Sequence, residues 1–342
     1  MAKRNLSRRQ LARIRHTQHE RQRRSEKRAD DIEKALSAGE LGEERRGRVH
    51  AHYGATLDIE DTGTGDLVRC HQRANLPALV TGDWVTWRPG SGETGIVVAQ
   101  ESRTSLLARP DLRGNMRPVA ANIDQMMVVF SCSPATPVAL LDRYLVAAAL
   151  SDIQPVLLLN KSDLLSADDP YQQFLRDYEA LGYPTLLLSA LEPLDETLVP
   201  HLQERTSVFV GQSGVGKSSL INQLLGESIS VQTVSEATGK GRHTTTRAEL
   251  YHMPGGGALI DSPGIREFGL WHIPPEDVVA GFPEFHPWLG QCRFRDCRHL
   301  EEPGCALRQA VTEGKVLARR LKSYHTILAS LGEANPFQQF AE

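Results

Sequence analysis

The sequence predicts a multidomain chain that combines a small β-barrel, an α/β domain built on a parallel sheet, and a C-terminal helical module. Short runs rich in β-branched and aromatic residues, separated by Gly and Asp, occupy residues 46–112 and predict the barrel. Residues 113–272 alternate almost wholly apolar runs with helical patterns, which is typical of a parallel sheet buried on both faces. Residues 273–342 gather three of the five cysteines beside a histidine. A chain of 342 residues is long enough for several such domains.

Residues 1–45 form a basic extension without aromatic side chains to anchor a core. Positions 1–30 hold eleven Lys and Arg against three acidic residues, a local net charge of +8, so the rest of the chain carries −11. Such an arm either meets a phosphate backbone or stays a solvated tail, and charge alone leaves both interpretations open. The first residues lack the apolar segment of a secretory signal, and no run approaches the ~20 apolar residues of a membrane span. We therefore expect a cytoplasmic protein with no membrane partner.

Four or five short strands are expected in the barrel region, within the runs GRVHAHYGATLDI, DLVRCHQ, GDWVTWRP and TGIVVAQ. Strands of this number and length predict an OB-like barrel, and an SH3-like barrel is the alternative that the pattern leaves open. Cys70 lies in one of these runs and Cys132 in a later one, and both are expected in a core.

The strands of the α/β domain are expected at the apolar runs 126–130, 156–159, 185–188, 207–210 and 258–260. In an open parallel sheet, ligands bind outside the carboxyl ends of the strands. The residues that follow these runs are therefore the candidates for a functional site.

A phosphate-binding loop follows the run that ends at residue 210. Its sequence GQSGVGKS fits the pattern G-x-x-x-x-G-K-[ST], with Gly211, Gly216, Lys217 and Ser218 at the fixed positions. Glycines allow backbone N–H groups to surround a phosphate at the start of a helix, whose dipole favours anions. Lys217 is expected to reach the β- and γ-phosphates, and Ser218 to offer its hydroxyl to Mg²⁺.

A guanine-reading segment, NKSD, follows the run that ends at residue 159. The Asp163 carboxylate can accept from both the ring N–H and the exocyclic amine of guanine, whereas adenine would leave it unpaired. Asn160 is expected at the far edge of the base and the Lys161 stem along its face. The segment LLLSA repeats the pattern of a strand followed by small residues at Ser189 and Ala190. The residues expected to contact GTP or GDP are Asn160, Lys161, Ser162, Asp163, Ser189, Ala190, Gly211, Gln212, Ser213, Gly214, Val215, Gly216, Lys217, Ser218, Ser219 and Asp261.

The segment ALIDSPG supplies Asp261 for the water shell of Mg²⁺ and Gly264 as an amide that senses the γ-phosphate. Ras-like enzymes place a water-orienting Gln directly after that glycine. Ile265 stands there in this chain and cannot orient water, so intrinsic hydrolysis should be slow.

The loop SEATGKGRHTTTRAEL lies between the phosphate loop and ALIDSPG, where a switch is expected. Thr244 or Thr245 could reach Mg²⁺, and we name Thr245 beside Ser218 as a ligand. His243 could position the attacking water, although an ordinary exposed loop histidine is an equal alternative. With Lys217 and Gly264, His243 completes the expected catalytic set.

These motifs stand in an unusual order, because the guanine reader precedes the phosphate loop by roughly fifty residues. A site built from strand ends depends on where the ends lie in space, so joining the old termini and cutting one loop preserves it. The order therefore indicates a circularly permuted P-loop GTPase domain.

The segment CRFRDCRHLEEPGC brings together Cys292, Cys297, His299 and Cys305. Three thiolates and an imidazole within fourteen residues are typical of one tetrahedral Zn²⁺ site. Since four protein ligands leave no coordination position open, the zinc is expected to be structural.

An amphipathic helix is expected after this segment, with Leu317, Leu321, Tyr324, Leu328 and Leu331 on its apolar stripe. Its remaining residues include Arg319, Arg320 and Lys322, which we interpret as a basic face available to a partner.

The motifs NKSD, GQSGVGKSS, GRHTTT, DSPGIREFGL and the Cys/His set together resemble the circularly permuted GTPases of the RsgA (YjeQ) type over nearly the whole chain. The resemblance implies binding to the 30S ribosomal subunit and its 16S rRNA. It also implies GTP hydrolysis stimulated by that subunit and a role in late subunit maturation. We expect a monomer that uses GTP with Mg²⁺ and one structural Zn²⁺. A GTP-responsive RNA-binding scaffold without catalysis, and a GTPase that acts on a protein partner, are the alternatives.

Overall fold

The computed structural model describes residues 41–54, 56–73, 75–90, 94–110, 115–194, 196–226, 248–262, 265 and 273–332. The chain divides into two compact units. The first is formed by residues up to 79 together with 83–102, and the second by residues 80–82 together with 103 onward. No helix among the residues of these ranges is both long enough and apolar enough to cross a membrane.

The first unit is a five-stranded barrel. Its strands are β1 (Arg45–His52), β2 (Thr56–Asp61), β3 (Leu67–Gln72), β4 (Trp84–Pro89) and β5 (Thr94–Gln100). The hydrogen-bonded order is β1-β2-β3-β5-β4, with β3 and β5 parallel, and β4 pairs back onto β1 to close the sheet. This confirms the predicted barrel, and the order is that of an OB fold.

Alternating side chains of these strands fill the barrel. Val49, Ile59, Cys70 and Trp87 are buried among its core residues. Burial raises the pKa of the Cys70 thiol to about 12, so this cysteine acts as a small apolar side chain, as predicted. The same prediction is wrong for Cys132, which is only half-buried and follows the end of a strand rather than lying within one.

The second unit contains a hairpin, β6 (Leu106–Pro110) and β7 (Met116–Ala121), and then an α/β sheet. The sheet strands are β8 (Gln125–Phe130), β9 (Gln154–Leu159), β10 (Thr185–Leu187), β11 (Thr206–Val210), β12 (Glu249–His252) and β13 (Ala258–Asp261). They lie in the order β10-β9-β8-β11-β13-β12, all parallel except β12, which is antiparallel to β13. The predicted parallel sheet is therefore confirmed.

Both faces of this sheet are covered, which explains the continuous apolar runs of the sequence. Along β8, Met126, Val128 and Phe130 belong to one buried cluster, and Met127 and Val129 belong to the other. The helices of the domain are α1 (Val138–Leu150), α2 (Pro170–Ala180), α3 (Val199–Leu202) and α4 (Lys217–Leu225), with a 3₁₀ turn at Ser162–Leu164.

The C-terminal module packs on helix α1. It consists of the 3₁₀ segments Pro275–Gly281 and Pro283–Trp288, followed by α5 (Ala306–Thr312) and α6 (Ala318–Gly332). Phe282, Phe285 and Tyr324 form an aromatic group with ring centroids 4.9–5.6 Å apart. Their cluster also includes Val146 and Ala147 of α1, so the module and the α/β domain share apolar core.

The predicted basic face of α6 is wrong for Arg320, whose side chain is 0% exposed. The guanidinium pairs with Asp142 of α1 and with Glu284, donating from Nε to Oε1 of Glu284 at 2.7 Å. It also donates to the Gly281 carbonyl at 2.7 Å. These opposite charges lie far from the helix in sequence, so a helical pattern could not reveal them. Arg319 is likewise engaged, with Asp177 at 3.1 Å.

Candidate nucleotide-binding and metal sites

The carboxyl ends of five parallel strands bring the predicted motifs to one edge of the sheet. In spatial order, the segments after β10 and β9 carry the predicted guanine readers, the segment after β11 carries the predicted phosphate loop, and Asp261 is the last residue of β13. Strand β8 lies between β9 and β11, so its following loop, residues 131–137, stands between the two groups. Along the chain, the predicted guanine readers at 160–163 and 189–190 precede the phosphate loop at 211–218, which is the permuted order of these motifs.

The phosphate loop runs from Gly211 to Gly216 between β11 and α4. Gly211, Gly214 and Gly216 all have positive φ, at 146°, 85° and 101°. The Lys217 ammonium is buried at the first turn of α4 and donates to the carbonyls of Gly211 at 2.6 Å and Gln212 at 2.7 Å. The positive charge therefore lies inside the turn, where a bound phosphate would need it. Val215 is completely buried and anchors the loop in the core.

Three predicted serines of the loop and of the first turn of α4 are exposed. Ser218 and Ser219 follow Lys217 in the first turn of α4, and Ser213 lies within the loop. An exposed Ser218 hydroxyl at a helix N-terminus is accessible to a hydrated cation that accompanies a nucleotide.

Asn160 connects three loops, a role that the sequence did not predict. Its side chain is 1% exposed; Nδ2 donates to the Val215 carbonyl at 2.8 Å, and Oδ1 accepts from the Ala190 N–H at 3.0 Å. The guanine-reading segment, the phosphate loop and the segment after β10 are thereby held together. The sequence contained a signal for this role: an asparagine directly after a buried strand is expected to need hydrogen-bond partners for both its N–H and its carbonyl groups.

Lys161 makes a second connection. It has a left-handed backbone, with φ of 64°, and its ammonium donates to the carbonyls of Ser133 at 2.7 Å and Gly214 at 2.8 Å. Ser133 belongs to the loop after β8, which sequence reasoning did not include in the site. Only the strand order, with β8 between β9 and β11, brings this loop next to the others.

Asp163 and Ser189 lie together as the predicted base reader requires. The Ser189 hydroxyl donates to Oδ1 of Asp163 at 2.5 Å and accepts from the Leu191 N–H at 3.2 Å. The N–H of Ser162 donates to the Leu188 carbonyl at 3.1 Å, which joins the two segments through their backbones. A fixed carboxylate with an oxygen beyond the Ser189 contact suits two adjacent donors such as those of guanine.

Part of the predicted γ-phosphate region falls outside the described residues. Asp261 ends β13, half-buried, and Ile265 lies in the core, so its side chain has no access to a water. Gly264, His243, Thr244 and Thr245 all lie outside the ranges that the structure describes. Their predicted roles stay predictions.

The Cys/His set converges in the C-terminal module. Nδ1 of His299 lies 3.5, 3.7 and 3.4 Å from the sulfurs of Cys292, Cys297 and Cys305, and the sulfurs of Cys292 and Cys305 are 4.0 Å apart. A tetrahedron with Zn–S and Zn–N bonds of ordinary length has edges of about 3.6–3.8 Å. Burial lowers the pKa of His299, which favours the neutral imidazole that binds metals. The four residues therefore fit a metal ion.

A glycine-rich loop, a lysine held inside it, and a carboxylate in the predicted guanine-reading segment at the same sheet edge define a P-loop GTPase with permuted chain order. Comparison with known proteins identifies the family. Residues 100–271 match the family described as RsgA GTPase. The chain belongs to the RsgA GTPase family and is a GTP hydrolase.

This chain is similar to curated relatives and to solved structures over most of its length. The small ribosomal subunit biogenesis GTPase RsgA of Ectopseudomonas mendocina is 54% identical over 340 residues, covering 97% of this chain and 99% of the relative. The protein with the same description from Azotobacter vinelandii is 53% identical, with the same coverage of both chains. The crystal structure of YjeQ from Thermotoga maritima has a TM-score of 0.70 at 30% identity, covering 86% of this chain and 100% of that chain. YloQ, described as a circularly permuted GTPase, has a TM-score of 0.67 at 30% identity, covering 86% and 97%.

Proposed function

We propose that this GTPase acts on the small ribosomal subunit: it binds the 30S particle and its 16S rRNA, hydrolyses GTP when stimulated by that particle, and serves late subunit maturation. The observation that carries the proposal is the identity of 54% over 97% of the chain with a relative named for small-subunit biogenesis. An OB-type barrel, a fold that often binds RNA, is a compatible part. We further propose a cytoplasmic monomer whose basic extension, residues 1–45, contacts rRNA.

For the nucleotide, we propose that Asp163 accepts from the guanine ring N–H and amine while Ser189 fixes its orientation. Lys217 and the glycine amides surround the β- and γ-phosphates, and Ser218 with Thr245 holds Mg²⁺. Asp261 orders the water shell of the cation. His243 positions the attacking water and Gly264 senses the γ-phosphate, since Ile265 cannot take part.

Multiple-turnover phosphate release, measured with and without purified 30S subunits, tests this function. We expect repeated turnover of GTP but not ATP, with a clear increase when subunits are added. Binding to the subunit should weaken steeply as salt rises, because contacts to a phosphate backbone release counterions. A single turnover per molecule would favour the non-catalytic scaffold. Turnover insensitive to subunits would favour a protein partner. Either result would refute the proposal.

We propose that the ion held by the Cys/His set is one structural Zn²⁺ per chain. Three thiolates and one imidazole are soft ligands that favour zinc and complete its tetrahedral coordination. The bound ion would join the segment around Cys292 to the start of α5, which begins directly after Cys305.

Cys297→Ser should release the metal and loosen the C-terminal module, because a serine hydroxyl is not ionised at neutral pH and ligates zinc poorly. Metal content per chain, measured by atomic emission, should fall well below one. Proteolysis within residues 273–332 should accelerate. Cys132→Ser is the matched control, since this half-buried thiol lies outside the cluster and should leave the metal in place. Full metal occupancy in Cys297→Ser would contradict the assignment.

A further inference from the structure

Glu302 lies inside the segment that supplies the metal ligands, three residues before Cys305, but is not itself one of the four. Its carboxylate accepts two backbone hydrogen bonds, from the Arg298 N–H to Oε1 at 3.0 Å and from the Leu300 N–H to Oε2 at 2.8 Å. Both oxygens are thus directed at the backbone of the segment that carries Cys297 and His299.

The two bonded N–H groups belong to the peptide groups that follow Cys297 and His299. A peptide group is planar, so fixing its N–H also fixes the carbonyl carbon attached to the Cα of the preceding residue. Glu302 therefore constrains the backbone directly after two of the four ligands. Bonds to a carboxylate are shorter and stronger than bonds between neutral groups.

His299 needs such a constraint more than the other ligands. Its φ is 63°, in the left-handed region that residues with a β-carbon seldom occupy. A residue persists there only when its surroundings hold it. The conformation aims Nδ1 at the three sulfurs, with distances of 3.4–3.7 Å.

The remaining two ligands are tied by a different bond. The Arg293 N–H donates to the Gly304 carbonyl at 3.0 Å, which joins the neighbour of Cys292 to the neighbour of Cys305. Gly304 has φ of 73°, and a β-carbon there would lie 2.9 Å from Cβ of Arg293. Of the two ties, only that of Glu302 depends on a side chain, so it can be removed by substitution without altering a ligand.

We propose that Glu302 is a positioning residue of the metal site, which holds the Cys297 and His299 segment in the binding geometry before the ion arrives. The inference rests on the proposed zinc site. Metal ligands that are already held in place lose less conformational entropy when the ion binds. Groups that orient metal ligands typically contribute about 10–100-fold to metal affinity.

The test uses the full-length protein stripped of metal, with Zn²⁺ affinity measured by competition against a chromophoric chelator of known affinity. Glu302→Ala should weaken Zn²⁺ binding by about 10-fold or more. Glu302→Gln should lie between, because its single amide oxygen can replace only one of the two acceptors. Glu301→Ala is the matched control: it removes the same charge one residue away, from an exposed side chain, and should bind Zn²⁺ like the parent protein. Co²⁺ bound to Glu302→Ala should also show weaker tetrahedral d–d absorption than Co²⁺ bound to the parent.

Equal losses of Zn²⁺ affinity in Glu301→Ala and Glu302→Ala would overturn the proposal, because the loss of one negative charge would then explain both. Unchanged affinity in Glu302→Ala would overturn it as well. Failure of the parent protein to bind either ion would instead refute the zinc site itself, which keeps the two failures distinct. Unchanged binding of a fluorescent GDP analogue shows that the α/β domain of each variant is intact.

Discussion

Asp142→Ala should destabilise the attachment of the C-terminal module by about 3 kcal/mol, because it removes one of the two carboxylates that compensate the buried Arg320 charge. Arg320 and Asp142 are both 0% exposed, and the Tyr178 hydroxyl donates to the same Asp142 oxygen at 2.5 Å. Burial raises the pKa of Tyr178, so its hydroxyl keeps its proton and remains a donor. Glu284 would be the only carboxylate left beside the guanidinium among the contacts described for it.

Hydrogen exchange of the α6 amides measures this loss directly, without assuming that a multidomain chain unfolds in one step. Arg143→Ala is the matched control. Arg143 is half-buried, follows Asp142 in helix α1 and donates to Ser330, but it takes no part in the ion cluster. Replacing Asp142, Glu284 and Arg320 together with Leu, Leu and Met should restore much of the protection, because no uncompensated charge remains. A loss of protection in Asp142→Ala no larger than that in Arg143→Ala would show that the ion cluster contributes no more than an ordinary contact between α1 and α6.

Gly216→Ala should weaken nucleotide binding by about 100-fold or more, through a clash and through backbone strain. A β-carbon at this position would lie 2.2 Å from Nδ2 of Asn160, whose amide joins the phosphate loop to the guanine-reading segments. Displacing that buried amide would sever both of its bonds and separate the loops that it connects. The φ of 101° adds strain for any residue other than glycine.

Equilibrium titration with a fluorescent GDP analogue measures the effect. Gly182→Ala is the control, because Gly182 has a similar φ of 90° but no atom within 4 Å of an added β-carbon. It should cost stability without affecting affinity. If Gly216→Ala binds GDP as tightly as Gly182→Ala does, the connecting role of Asn160 is refuted.

The sequence predicted those parts of the site whose chemistry is local. Residue spacing alone predicts a phosphate loop from glycines before a lysine. It likewise predicts a metal site from three cysteines and a histidine within fourteen residues. The sheet was equally accessible, because strands buried on both faces must be apolar throughout. The five-stranded barrel followed from the length and number of its runs.

The features that were missed depend on contacts between distant segments. The pattern of α6 placed Arg320 off the apolar stripe, but its partner Asp142 lies 178 residues earlier in the chain. Lys161 meets Ser133 only because β8 lies between β9 and β11, which no pattern within either segment states. Cys132 resembled a strand residue, and the strand ends two positions before it.

The pairing of β8 with β11 has a consequence for how the GTPase domain is completed. Strands β8, β9 and β10 come from one continuous stretch of chain, and β11, β12 and β13 from the next, so the two half-sheets meet along a single boundary. The predicted guanine readers belong to the earlier half and the predicted phosphate loop to the later one. Because β11 follows β10 in the chain, the β8 edge of the earlier half can be paired only after the later half has been synthesised. A guanine nucleotide that contacts both halves will stabilise their association, by a free energy that rises with the logarithm of the nucleotide concentration above its Kd.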